Sequence, residues 1–166
     1  MTKDEYYHCL MEAYRPAEAM IRIVPRDKLD WRPRENFMSF GQLVSHLGDG
    51  LGGPLRNLIS GKWPFTMEQF EEMTKLENCP SCSPEEALEK LNKDKKTLKE
   101  VLAGINEQEF SSKMVSTPWG WQGKCELISI RFLEHFLNHK MQLFTYLKLI
   151  ELPVNTATLY SGASGD

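Results

Sequence analysis

A chain of 166 residues with a hydrophobic fraction of 41% and a charged fraction of 26% fits one globular domain spanning 1–166, and excludes disorder and a fibrous repeat. A net charge of −3 gives no basic face for a phosphate backbone, and the run Lys93, Lys95, Lys96, Lys99 is broken by Asp94 and Glu100 into a solvated helix face, so nucleic acid is not an expected partner. No stretch approaches the ~20 apolar residues of a bilayer span and the start MTKDEYYHCL lacks a signal peptide's apolar core, so a cytoplasmic protein with reduced thiols and no membrane partner is expected.

Thr2 and Glu5 form a capping box, and apolar residues then recur at helical spacing through Leu10, Ala13, Ala17, Met20 and Val24. This predicts a first helix over about 3–24, kinked or divided at Pro16, which removes one backbone hydrogen bond. RDKLDWRPRENF has no period and reads as a connection up to the next box, Ser39 with Gln42. A second helix follows over about 39–60, weakened in its middle by Gly50, Gly52, Gly53 and Pro54. Residues 61–82 read as a loop holding Trp63 and the pair Cys79 and Cys82.

Ser83, Pro84 and Glu86 specify the start of a third helix over about 84–104, with Leu88, Leu91, Lys95, Leu98 and Leu102 as its bundle-facing seam. NEQEFSSKMVSTPWGWQGK reads as a loop with room for one short extended piece. The fourth helix, over about 126–149, has an apolar face running through Ile128, Phe132, His135, His139, Leu143 and Tyr146, which places both histidines in the core stripe. Four helices without an alternating strand pair predict an all-α, antiparallel four-helix bundle, and LPVNTATLYSGASGD reads as a strap or loose end.

The chemistry centres on histidine. His135 and His139, four apart on a helix, lie ~6 Å apart along its axis and ~40° apart around it, so their rings can meet one ion. His46, on the apolar side of the second helix, is a better third ligand than His8, which is expected on the partly exposed side of helix one. The competing reading is that each histidine is an ordinary hydrogen-bonded core residue, since HxxxH is a short pattern that recurs by accident. Against it, two adjacent imidazoles in a dry seam would each carry a cost of roughly 1–3 kcal/mol unless something binds them. Three neutral imidazoles leave the ion its full charge and an open position, as in catalytic zinc sites. Asp49 and Gln142, each one turn after a candidate ligand, are candidates for orienting those rings or a bound water.

Other motifs carry less. Cys79 and Cys82 precede a helix N-terminus, where the dipole can lower a thiol pKa, but no βαβ unit and no second CxxC accompany them. The tryptophans Trp31, Trp63, Trp119 and Trp121 read as covers for the core ends, with Trp119 and Trp121 also placed to line a pocket mouth.

KLDWRPRENFMSFGQLVSHL, HFLNHKMQLFTYLKL and LPVNTATLYSG, in that order, resemble the DinB-like family of metal-binding four-helix bundles, which includes the YfiT-type thiol S-transferases. The resemblance implies a triad of His46, His135 and His139 holding zinc or nickel, a homodimer, and metal activation of a low-molecular-weight thiol for attack on an electrophile. A metal-dependent hydrolase and a non-catalytic metal- or ligand-binding module are the alternatives. Gln142 and Leu143 match the family's usual residues after the second helix-four histidine; Lys140 stands where many members carry arginine, and CPSC is not a family feature.

Overall fold

The computed structural model describes residues 1–163. Its framework is four helical columns: α1 (Lys3–Arg22), the tandem pair α2 (Phe40–Asp49) and α3 (Gly52–Ser60), α5 (Pro84–Ala103) and α7 (Cys125–Leu149). Between them lie α4 (Met67–Met73), α6 (Glu107–Ser112) and a hairpin of β1 (Met114–Ser116) and β2 (Gln122–Lys124), and α8 (Thr156–Ser161) follows α7. The architecture is the all-α bundle expected, with α1 against α5, α7 and α8, and α2 against α5 and α7.

Helix starts follow local chemistry. Thr2, Ser39 and Ser83 each accept a backbone N–H three residues on, while Glu5, Gln42 and Glu86 reach back, so both groups of each box are satisfied. Three further boxes, Thr66 with Gln69, Asn106 with Glu109 and Asn155 with Thr158, start the short α4, α6 and α8. The first helix ends two residues earlier than its periodicity predicts, because the Ile23 and Val24 amides fold back onto the Met20 and Ile21 carbonyls. Pro16 neither divides α1 nor ends it, and α8 packs against α1 beside it, with Gly162 next to Ala19 and Pro16.

The predicted second helix is two helices. Gly50 at φ +61°, ψ −155° occupies a region essentially restricted to glycine and turns the chain out of α2. The new N-terminus is received by Asp94 of α5, whose carboxylate accepts from Gly52 N at 2.7 Å, Leu51 N at 3.1 Å and the Tyr14 hydroxyl at 2.8 Å. A carboxylate suits the electropositive start of α3, which lacks a side-chain cap from Leu51. Asp94 is therefore buried in the bundle and does not belong to a solvated face. The α5 seam is Ala87, Leu91, Asp94, Leu98 and Leu102, one position round from the predicted stripe, leaving Leu88 and Lys95 half-buried.

The two predicted loops are also more ordered than their periodicity shows. Residues 61–82 contain α4 and a 3-10 turn at Leu76–Asn78, while 106–124 form α6 and a hairpin pairing Val115 with Gly123. At the tip of that hairpin Thr117 N donates to Trp121 O at 2.9 Å and its hydroxyl accepts from Trp121 N at 3.0 Å, fixing the arm that carries Trp119 and Trp121. On α7 the buried face is Ile128, Phe132, Phe136, Lys140, Leu143, Tyr146 and Leu147. His135 is exposed and His139 half-buried, so they border the core stripe instead of lying within it. Lys140, an unexpected core residue, donates to Leu159 O at 3.1 Å and so ties α7 to α8.

Candidate metal centre and its cavity

His46 projects from α2, and His135 and His139 from consecutive turns of α7. The His46 and His135 Nε2 atoms stand 2.9 Å apart, and one ring nitrogen from each of the three residues lies within 4.8 Å of the others. Two nitrogen donors on one ion at about 2.0–2.1 Å are at most about 4.2 Å apart; the close pair meets that limit, and the 4.8 Å that bounds the three is near it. No other cluster of this kind occurs among the described residues.

Electrostatics keep the rings neutral. Desolvation and the neighbouring imidazoles lower the pKa of His46 from 6.5 to about 4, with a smaller push from Lys90. Desolvation and His139 lower His135 to about 4; its ring reaches open space through the cavity, yet ring-on-ring crowding still strips water from it. His139 is lowered by desolvation, with its bond to Gln142 opposing. Three neutral imidazoles converging on one point are the donor set a divalent transition ion requires.

Gln142 closes a chain that fixes one of these rings. Tyr146 donates its single hydroxyl proton to Met38 O at 3.0 Å, so towards Gln142 it accepts, taking the amide N–H at 2.9 Å. The amide oxygen therefore faces His139 and accepts from Nδ1 at 3.0 Å. This puts the proton on Nδ1 and leaves Nε2 as the free lone pair. Asp49 is engaged elsewhere: its carboxylate accepts from Lys90 at 2.8 Å, and Lys90 also donates to Ser45 at 3.0 Å.

The triad opens into a cavity of about 520 Å³. Its walls include Leu51 and Pro54 from the helix break, Phe132 and Phe136 from α7, and Trp119 and Trp121 from the hairpin. Phe70 of α4, which the sequence reading missed, stacks on Trp119 at 4.9 Å and 19° and supplies the roof. His8 lies outside, exposed, with Nδ1 donating to Asp4 O at 2.7 Å. Cys79 and Cys82 are free thiols, and partial burial raises both pKa values, opposite to what a redox pair before a helix requires.

The sequence profile of the DinB superfamily matches residues 11–142, a span that contains all three histidines. The chain belongs to the DinB superfamily. Its fold is similar to that of a DinB-family member from Exiguobacterium sibiricum 255-15, at 18% identity and a TM-score of 0.69 over 94% of this chain and 96% of that one. A DinB-like protein from Bacillus subtilis is similar at 19% identity and a TM-score of 0.62, over 90% and 96% of the two chains. No curated protein matches significantly. In this DinB chain no helix among the described residues is long and apolar enough to cross a membrane.

Proposed function

We propose that this DinB protein is a cytoplasmic metal-dependent transferase that joins a low-molecular-weight thiol to an electrophile. The observation that carries the reading is the convergence of three neutral imidazoles at one end of an apolar cavity. His46, His135 and His139 would hold zinc or nickel, which when bound supplies a Lewis acid that lowers the pKa of a thiol to near neutrality. Gln142 holds the proton on His139 Nδ1, and Tyr146 holds Gln142 in the orientation that does so. Asp49, neutralised by Lys90, borders the cavity and shapes the approach to the triad. Leu51, Phe132 and Trp119 give the cavity beside the triad apolar walls, and a substrate that fills it would displace water from the reacting end. In the overall step the thiol loses its proton to solvent, its sulfur bonds to the electrophilic carbon, and the leaving group departs with the electron pair of the broken bond.

An exposed apolar stripe on α7, Leu127, Ile130, Leu137 and Met141, supports a homodimer built on that face. The reading is tested by elemental analysis of tag-free protein beside His46→Ala, His135→Ala and His139→Ala. Near one zinc or nickel per chain, lost in every variant, is expected. Folded wild type that is metal-free and takes up neither ion would overturn it. Turnover of a chromogenic electrophile that requires added cysteine or glutathione separates transfer from hydrolysis, which proceeds without thiol, and tight metal with neither turnover marks a binding module.

A further inference from the structure

The cavity carries information about the electrophile that the triad does not. An apolar cavity of ~150 Å³ accepts a benzene ring, so about 520 Å³ holds a two-ring group with space left for a reactive end. Apart from the triad, the hydrogen-bonding side chains among its aliphatic and aromatic lining are Asp49, already paired with Lys90, and Thr74, whose hydroxyl donates to Glu71 O at 3.1 Å. Among the described residues no lysine or arginine lines the walls. The Arg131 guanidinium lies over Trp121 with its centre 5.3 Å from the ring and is not among the lining residues. A carboxylate, sulfonate or phosphate lying along the wall would be desolvated without a partner, whereas an uncharged group is not penalised.

The walls also favour rings over chains. Phe70 and Trp119 are near parallel, Trp63 backs Trp119 edge-on at 5.1 Å from outside the lining, and Trp121 and Phe132 form a tilted pair at 6.3 Å. These rings are packed on one another, which holds them in place, and the surfaces they leave towards the cavity are those against which a ligand ring gains stacked or edge-on contact. Phe70 comes from α4 and Trp119 and Trp121 from the hairpin, while Phe132 and Phe136 come from α7, the column that also carries His135 and His139.

We propose that the cavity is the binding site of an uncharged aryl substrate, its rings against Phe70, Trp119 and Phe132 and its reactive end directed at the triad. This deepens the transferase reading and rests on it only for the direction of the reactive end. The test is titration calorimetry of the full chain, as purified and again after dialysis against a chelator, with 2-acetylnaphthalene as the neutral probe and 2-naphthoate as its anionic counterpart. Trp119→Leu removes the stack, Thr74→Glu places a charge at the rim without touching the core, and circular dichroism confirms that both are folded. The neutral probe should bind the wild type in the micromolar range, at least tenfold tighter than the anion and at least tenfold tighter than to either variant. Failure to bind, equal binding of the anion, or unchanged binding in both variants overturns the proposal. Because metal-free protein is included, aryl binding can fail while metal loading succeeds, and the reverse.

Discussion

The chain Met38, Tyr146, Gln142, His139 makes a graded prediction, because each link fixes the orientation of the next. Gln142→Leu deletes the acceptor for His139 Nδ1 and should weaken zinc binding about 10- to 100-fold, the range seen when partners of metal-bound histidines are removed. Tyr146→Phe leaves that acceptor but removes the hydroxyl that orients it. The loss is then one neutral hydrogen bond, about 0.5–1.5 kcal/mol, or roughly two- to tenfold in affinity. Gln142→Glu removes the need for orientation, since either carboxylate oxygen can accept from Nδ1 and the Tyr146 hydroxyl can turn to donate to the other. In that background Tyr146→Phe should change zinc affinity by less than twofold, a non-additivity that a double-mutant cycle isolates. Competition with a chromophoric chelator reads the affinities. Thermal melts of metal-free protein read separately the roughly 1–3 kcal/mol cost of leaving the Met38 carbonyl without its donor. Wild-type affinity in Gln142→Leu, or an undiminished effect of Tyr146→Phe beside Gln142→Glu, would refute the orientation argument.

Asp94→Ala strands the Gly52 amide and the Tyr14 hydroxyl proton while Leu51 N keeps its bond to the Tyr14 oxygen at 2.8 Å, and should cost about 2 kcal/mol or more in urea unfolding; a loss under 1 kcal/mol would show that water replaces the carboxylate. Gly50→Ala forces a side chain into a glycine-only conformation against Asp94, and a loss of about 1–3 kcal/mol is expected by the same assay. For His46 and His135 the folded-state pKa is about 4 against an ordinary 6.5, so between those values the unfolded chain binds more protons. Stability of the chelator-treated protein should accordingly fall as pH drops from 6.5 towards 4. A His46→Gln, His135→Gln double variant should flatten that slope in urea titrations, and an unchanged slope would assign it to other groups.

What the sequence made legible was whatever had length or a local signature. The four long columns are visible because their apolar period repeats over several turns, and the boxes at Thr2, Ser39 and Ser83 mark starts within a residue. His135 and His139 are legible from spacing, and His46 from its place beside Leu43. The division of α2 from α3 was harder to see, because the glycines signal weakness but the cause, Asp94, lies more than forty residues away and looks like one charge in a charged run. Helices of six or seven residues, such as α4 and α6, are too short to show a period; their boxes, Thr66 to Gln69 and Asn106 to Glu109, were the available signal. Phe70 had no signal, since its role depends on the fold bringing α4 over the hairpin. The histidines were placed in the core because a helical projection gives a residue's side of the helix but not a cavity that opens beside it.

The arrangement of α1 has a consequence for how the chain is made. Its apolar face, Tyr6, Leu10, Ala13, Tyr14, Ala17, Met20 and Ile21, is covered by α5, α7 and α8. Roughly 60 residues separate its end from the start of α5, and at ~5–20 residues per second a ribosome takes several seconds to make them. During that time a helix with more than four apolar turns has only the Leu51 segment to meet, through Tyr14, and its last partner, α8, arrives only near residue 161. The bundle therefore closes only after α8 has been made, and the nascent first helix is the segment on which a holdase chaperone would act.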